Sequence, residues 1–194
     1  MTTRADQRAA TRQALIAEAR QLFATRGYAA VALPTLVAAA GVTKGALYHQ
    51  FDSKADLFRT VLEEVQQEVA ADVAAAAARH EDGWAQLLAG SEAFLTSSTA
   101  PGVQRIMFID GPAVLGWAEW RALDEAASTR HLREALEARI ADGTFPDQCV
   151  EPLTRLLSGA MNEAALWMAE RDRISHDLPA VMSALERMLG GLRR

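Results

Sequence analysis

The chain has 194 residues and only one cysteine, Cys149. An intrachain disulfide and a Cys-x-x-Cys pair are therefore excluded, and a reducing compartment is expected. Long hydrophobic runs are also missing, since the longest uncharged stretch, residues 27–43, contains Pro34 and Gly41 and is too short to span a bilayer. The first residues are polar and hold no apolar segment of a signal peptide. These features predict a cytoplasmic protein without a membrane segment.

Sequence motifs of common enzyme classes are absent as well. The chain has no Gly-x-Ser-x-Gly elbow, no Gly-x-x-x-x-Gly-Lys phosphate loop, no Gly-x-Gly-x-x-Gly and no His-Glu-x-x-His. No Glu precedes any of the four histidines (His49, His80, His131 and His176) by three residues, which excludes the paired Glu-x-x-His motif of di-iron bundles. We therefore predict that the protein is not an enzyme and has no catalytic residue, metal site or cofactor.

Charge is distributed unevenly along the chain. The first 60 residues carry a formal net charge of +4, whereas the whole chain carries -5. Lysine is scarce, and the only two lysines, Lys44 and Lys54, both lie in this basic part. A basic head on an acidic body favours a small nucleic-acid-binding domain joined to a domain with another task, although chance alone could produce the same distribution.

Apolar residues recur at helical spacing almost everywhere, and no strand-like alternation is present. The first helix is predicted from about Thr11 to Arg26, and a short second helix begins at Leu33 and ends before Gly41. Thr43 suits the N-cap of a third helix. A fourth helix is predicted from Ser53 to about Ala78. Further helices are expected at 84–96, 102–109, 117–141, 150–170 and 178–192, which gives an all-α chain of about nine helices.

The second and third predicted helices form a helix-turn-helix over residues 33–52, and the first helix completes a tri-helical core. Leu47 and Phe51 point inward on the helical wheel, so the opposite face of the third helix is presented to solvent. That face is small, aromatic and polar, which suits contact with base edges and phosphates. The predicted DNA contacts are Thr43, Lys44, Gly45, Ala46, Tyr48, His49 and Lys54. The alternative is an ordinary three-helix subdomain whose Tyr48 and His49 merely face solvent.

Residues 41–58, GVTKGALYHQFDSKADLF, resemble the signature of the TetR family of bacterial transcriptional regulators, and residues 22–28, LFATRGY, resemble the end of that family's first helix. The resemblance implies a homodimer whose two recognition helices bind half-sites of a near-palindromic double-stranded operator. It also implies a C-terminal domain that binds an inducing small molecule, and it adds Thr35 as a phosphate contact. Ala32 stands where the family usually has a Ser or Thr cap. We therefore predict a DNA-binding domain at 1–56 and a ligand-binding and dimerisation domain at 57–194.

All four tryptophans lie in the C-terminal part, which predicts an apolar small-molecule pocket there. The predicted lining residues are Trp84, Phe94, Met107, Phe108, Trp117, Trp120, Met161 and Trp167, with Gln104, Asn162 or Glu163 as orienting polar groups. The alternative for each aromatic residue is a place in the plain core. The expected function is that of a repressor released by a small apolar or aromatic molecule. The open alternatives are a regulator of this fold without an inducer and a helical small-molecule-binding bundle that no longer binds DNA.

The last two predicted helices are rich in apolar residues on more than one face. The stripe of the last helix comprises Leu178, Val181, Met182, Leu185, Met188, Leu189 and Leu192. Two such helices from each subunit could close a four-helix bundle across a two-fold axis, whereas packing within one chain is the alternative. The long fourth helix, about 38 Å at 1.5 Å per residue, is predicted to act as a lever between ligand and DNA.

Overall fold

The computed structural model describes residues 3–171 and 173–193, and these residues are almost entirely helical. Two π-helical turns, Arg105–Asp110 and Glu125–Thr129, lie between α-helices. No strand occurs in the described part of the chain, which confirms the predicted all-α fold. The α-helices are α1 (Arg4–Arg26), α2 (Leu33–Ala39), α3 (Lys44–Tyr48), α4 (Lys54–Ala77), α5 (Gly83–Ser98), α6 (Gly111–Leu115), α7 (Trp117–Asp124), α8 (Arg130–Ala141), α9 (Val150–Arg171) and α10 (Ile174–Gly190).

The structure corrects three predicted helix bounds. The predicted helix 117–141 is divided because Ala127 has non-helical dihedral angles, with φ at -105° and ψ at -108°. The first helix begins seven residues earlier than predicted, because Thr3 and Asp6 form a capping box that apolar spacing does not show. The last helix also begins earlier, at Ile174, and contains Pro179 in its interior.

The chain forms two compact units. The first unit comprises the residues up to Val65 together with the segment Pro101–Trp120, and the second comprises Gln66–Ala100 with the residues from Arg121 onward. Helix α4 contributes residues to both units, because the division falls within it. None of the helices in the described part of the chain is both long and apolar enough to cross a membrane.

The core of the first unit is built on α1 and the start of α4. Phe23 and Phe58 are fully buried and meet edge to face, with ring centroids 5.3 Å apart. Tyr28 completes an aromatic cluster at 5.2 Å from Phe58. Leu36 of α2 and Leu47 of α3 are also fully buried, so both helices are held by apolar contacts. These contacts fix which face of α3 remains outside.

The second unit is a bundle of α5, α8, α9 and α10 with the distal part of α4. Its core includes fully buried Leu95 and Leu136 together with Phe145, against which Trp84 packs edge to face at 6.3 Å. Leu185 and Leu189 of α10 are buried within the same chain. The bundle is therefore closed mainly by aliphatic side chains.

Two glycines of the first unit allow a test of how closely segment 101–120 approaches α1. Gly102 and Gly116 have similar positive φ angles of 82° and 78°. A Cβ at Gly102 would lie 2.5 Å from the Cβ of Ala24, whereas at Gly116 it would meet no described atom within 4 Å. A positive φ is strained for any residue with a Cβ, and Gly116, with ψ at 160°, lies in a region that is essentially confined to glycine, so backbone strain should cost each alanine variant about 1–3 kcal/mol. We expect Gly102→Ala to lose about 1–3 kcal/mol more unfolding free energy than Gly116→Ala in urea titrations, because only the former adds a clash. Equal losses would contradict the close packing.

Candidate nucleic-acid interface and ligand cavity

The outward face of α3 is set by a cap at one end and buried leucines beneath. The Thr43 hydroxyl accepts a hydrogen bond from the Ala46 N–H at 3.1 Å, which fixes the start of the helix. Leu47 is fully buried on the inner side. A helix of only five residues is marginal by itself, so this cap and the apolar contact determine where its polar side chains point.

The structure brings most of the predicted DNA contacts together on this face. Ala46 and Thr35 are half-buried, and Tyr48 remains 46% exposed. The Lys44 ammonium lies 5.8 Å from the centroid of the Tyr48 ring. Ala32 provides no side-chain cap for α2, so the hydrogen bonds at the start of that helix come from its backbone alone. The exposed members of the predicted set are Thr43, Lys44, Gly45, Tyr48 and His49.

Lys54 has a different environment from the one expected of a phosphate contact. Its ammonium donates hydrogen bonds to the backbone carbonyls of Tyr28 and Val31, each at 2.7 Å. The same nitrogen lies 3.8 Å from the centroid of the Tyr28 ring. Burial lowers the pKa of Lys54, and the charge of Asp110 opposes that shift. Two of its three N–H donors are therefore used inside the protein, which favours a structural role for Lys54 over the predicted DNA contact.

The second unit contains a cavity with a volume of about 300 Å³. The buried residues that line it are apolar or carry hydroxyls, whereas Gln86 and His131 are half-buried and Glu134 is exposed. Small side chains from four helices leave the space open. The lining residues are Val73, Ala74, Ala77, Gln86, Leu87, Gly90, Ser91, Phe94, Ser128, Thr129, His131, Leu132, Glu134, Ala135, Ala138, Ser158 and Met161.

One wall of the cavity is ordered by a buried carboxylate. Asp124 is 2% exposed and accepts hydrogen bonds from Thr129 at 3.0 Å and Arg121 at 3.2 Å. The Thr129 and Ser158 hydroxyls lie 3.2 Å apart, and Arg121 also donates to Ser158 at 3.3 Å. Burial raises the pKa of Asp124, and the hydrogen bond from Thr129 acts against it. This network holds two hydroxyl groups at the cavity wall in fixed positions.

Of the eleven residues predicted to line a pocket, the structure places two, Phe94 and Met161, at this cavity. Trp84 packs on Phe145, Trp167 is 41% exposed, Asn162 hydrogen-bonds Asp124, and Glu163 is exposed on α9. The other five belong to segment 101–120 of the first unit and are Gln104, Met107, Phe108, Trp117 and Trp120. Trp120 is a core residue whose indole N–H donates to the Met107 carbonyl at 2.6 Å.

The prediction missed all cavity-lining residues except Phe94 and Met161, because cavities form where side chains are small. Gly90 and Ala135 have no chemical signal of their own, and the alanines of α4 are equally explained by helix propensity. Thr129 and Ser158 line the cavity through a network whose members are far apart in sequence. The one usable signal was Ala77, a small residue that lies four residues after Val73 and therefore on the same face of α4.

Helices α9 and α10 leave large apolar side chains exposed on the single chain. Leu156 is 72% exposed and Met188 is 57% exposed. Leu185 and Leu189 of the predicted dimer stripe are buried within the chain instead, so they belong to the subunit core. The exposed apolar surface of these two helices therefore overlaps only in part with the predicted stripe, because Met188 belongs to both, whereas Leu185 and Leu189 are buried.

Comparison with known proteins adds two family matches. Residues 15–61 match the model of bacterial regulatory proteins of the tetR family, and residues 84–192 match a tetracyclin repressor-like C-terminal domain. The chain is 30% identical to the HTH-type transcriptional repressor Rv1474c of Mycobacterium tuberculosis, over 82% of this chain and 85% of that protein. Two shorter matches to curated regulators cover 26% and 25% of those proteins.

Solved structures show the same fold. A TetR-family transcriptional regulator from Pectobacterium atrosepticum superposes with a TM-score of 0.80 at 34% identity, covering 98% of this chain and 97% of that one. RolR in complex with the ligand resorcinol superposes with a TM-score of 0.74 at 20% identity, covering 96% of this chain and 91% of that one. The second likeness concerns the fold alone.

Proposed function

The chain belongs to the TetR family of DNA-binding transcriptional regulators, and we propose that it is a repressor that binds a near-palindromic operator as a homodimer. A small neutral molecule with an apolar or aromatic body releases it. The observation that carries this proposal is the outward face of α3, where Lys44, Tyr48 and His49 are exposed beside Thr43, the N-cap of the helix. The matched relatives are regulators, and we propose no catalytic activity.

The proposed DNA contacts follow from that face. Gly45 and Ala46 let α3 approach base edges, while Lys44 and His49 donate to bases or phosphates. Thr43, Tyr48 and Thr35 supply hydroxyls for phosphate oxygens. Selection of fragments bound from the source genome tests the proposal, and failure to enrich any fragment would contradict it. The enriched fragment also serves as the operator probe in the experiments below.

The two lysines give a matched test of phosphate contact. We expect Lys44→Ala to flatten the plot of log K against log salt by about 0.9 for each lost contact per subunit. Lys54→Met should leave the slope unchanged and lower Tm, because it removes donors from two backbone carbonyls. Fluorescence anisotropy across salt concentrations and thermal denaturation measure both. A flattened slope for Lys54→Met with unchanged Tm would restore the original assignment.

The proposed homodimer forms through α9 and α10, because their exposed apolar side chains need a partner surface. We expect the double variant Leu156→Glu, Met188→Glu to be monomeric and folded, since a charge would otherwise be buried unpaired between subunits. Leu185→Glu is the contrasting variant and should unfold, because Leu185 is only 6% exposed in the single chain. Sedimentation velocity and circular dichroism measure the outcome. A wild-type monomer at micromolar concentration would refute the dimer.

The cavity favours a neutral ligand. Its buried lining residues offer apolar surface and hydroxyl groups, and the nearby Asp124 charge is already paired with Arg121. The ionisable residues of the lining, His131 and Glu134, lie 3.6 Å from each other. Burying a charged ligand group against such a wall would be costly. A volume of about 300 Å³ admits a small compound. We therefore propose an apolar or aromatic body with one or two hydrogen-bonding groups.

Helix α4 is the proposed lever between ligand and operator. Its 24 residues form one uninterrupted helix, about 36 Å long at 1.5 Å per residue. Val73, Ala74 and Ala77 line the cavity near its end, whereas its start belongs to the first unit. A ligand that displaces the distal end changes the spacing of the two recognition helices, which must stay near about 34–36 Å for successive major grooves.

Filling the cavity tests this mechanism. We expect Ala135→Phe to bind the operator as the wild type does but to lose its response to ligand, because the new ring occupies ligand space. Operator affinity is measured with and without saturating neutral aromatic compounds, including resorcinol, the ligand in the RolR structure. Linkage predicts a loss of about 5- to 150-fold in the wild type. Equal affinities with every compound would exclude ligand-controlled release.

A further inference from the structure

The loop between α1 and α2, residues 27–32, is held by side chains that come from outside the helix-turn-helix. The Tyr28 N–H donates to Oδ2 of Asp110 at 2.8 Å. The Tyr28 and Val31 carbonyls accept hydrogen bonds from Lys54, both at 2.7 Å. Three loop backbone groups therefore depend on two charged side chains, one at the start of α4 and one at the end of the first π-helical turn.

Asp110 lies close to Gly27 of the loop and acts electrostatically on Lys54, the other residue that holds the loop. A Cβ placed on Gly27 would lie 3.6 Å from Oδ2 of Asp110 and 2.9 Å from Nη1 of Arg105. Burial lowers the pKa of Lys54, while the Asp110 carboxylate favours its charged form. The charged ammonium is the form that donates to both carbonyls, so Asp110 supports the loop through its own hydrogen bond and through Lys54.

A second contact ties the same segment to α4 within the first unit. Nε of Arg59 donates to Oε1 of Glu119 at 2.7 Å, and Arg59 also pairs with Glu63 at 2.9 Å. Glu119 belongs to segment 101–120, as Asp110 does. The segment therefore contacts both the end of α1 and the first half of α4. The segment is part of the same compact unit as α2 and α3, although it begins at Pro101, more than 50 residues after the end of α3 at Tyr48.

We propose that Asp110 is a positioning residue for DNA binding, which holds the α1–α2 loop and thereby sets the orientation of α2 and α3. The inference rests on the proposed function. Asp110 itself is an anion and would be repelled by phosphate, so its effect on DNA affinity passes through the loop. The segment begins after α5 and leads into α7 and the second π-helical turn, and α5 and that turn both supply cavity-lining residues.

The test compares full-length Asp110→Ala with Glu92→Ala. Glu92 is exposed on α5, and its substitution changes the net charge by the same amount. We expect Asp110→Ala to speed hydrogen exchange in residues 28–39 and to weaken operator binding, each by about tenfold, as loss of a hydrogen bond to a charged group implies. The salt slope should stay unchanged, and peptides from α8–α10 should exchange as in the wild type. Glu92→Ala should alter none of these quantities.

Four outcomes are decisive: three would overturn only the role of Asp110, and the fourth would overturn the function on which it rests. Unchanged exchange in the loop, or wild-type operator affinity despite faster exchange there, overturns the role of Asp110. A uniform acceleration of exchange across the chain also overturns it, since that indicates general destabilisation. If the unsubstituted protein enriches no DNA fragment at all, the proposed function fails, and the inference fails with it.

Discussion

The hydrogen bonds from Lys54 to the Tyr28 and Val31 carbonyls are the constraint on which the proposed DNA-binding face depends. The loop they hold sets where α2 begins, and α2 has no side-chain cap of its own. Hydrogen bonds to charged groups contribute about 1.5–3 kcal/mol each, which is large beside the stability of helices of seven and five residues. Because Leu47 fixes the inner side of α3, the loop and the core together determine how α3 is oriented.

Local periodicity and caps predicted most of the helices and the outward face of α3, although three helix bounds were wrong. Leu36 and Leu47 are buried as their spacing predicts, and Thr43 caps α3. The role of Lys54 was not predictable in the same way. Its partners are backbone carbonyls 26 and 23 residues away, and backbone atoms leave no mark in a residue pattern. A cation at the start of a helix looks the same whether it binds phosphate or the protein.

The ligand cavity shows a different limit of sequence reasoning. Aromatic residues indicate a large apolar area but do not distinguish a filled core from a lined space. The Trp120 side chain is buried, and its indole N–H donates to the Met107 carbonyl, so it belongs to the core. The cavity is bounded by Gly90, Ala135 and similar small residues, and it exists because their side chains are too small to fill the space. Even the polar wall depends on tertiary contacts, because Thr129 and Arg121, the partners of Asp124, also contact Ser158, which lies 29 and 37 residues from them along the chain.

The path of the chain supports the proposed control of the first unit from this cavity. The chain passes between the two units three times, within α4, before Pro101 and after Trp120. Each passage lies within eight residues of a cavity-lining side chain, namely Val73, Phe94 and Ser128. A molecule that displaces the cavity walls therefore acts on elements continuous with all three connections. One of them is α4, which carries Lys54, and another leads into the segment that carries Asp110. Since both residues hold the α1–α2 loop by hydrogen bonds, the proposed mechanism has two routes along the chain from the cavity to the residues that hold this loop.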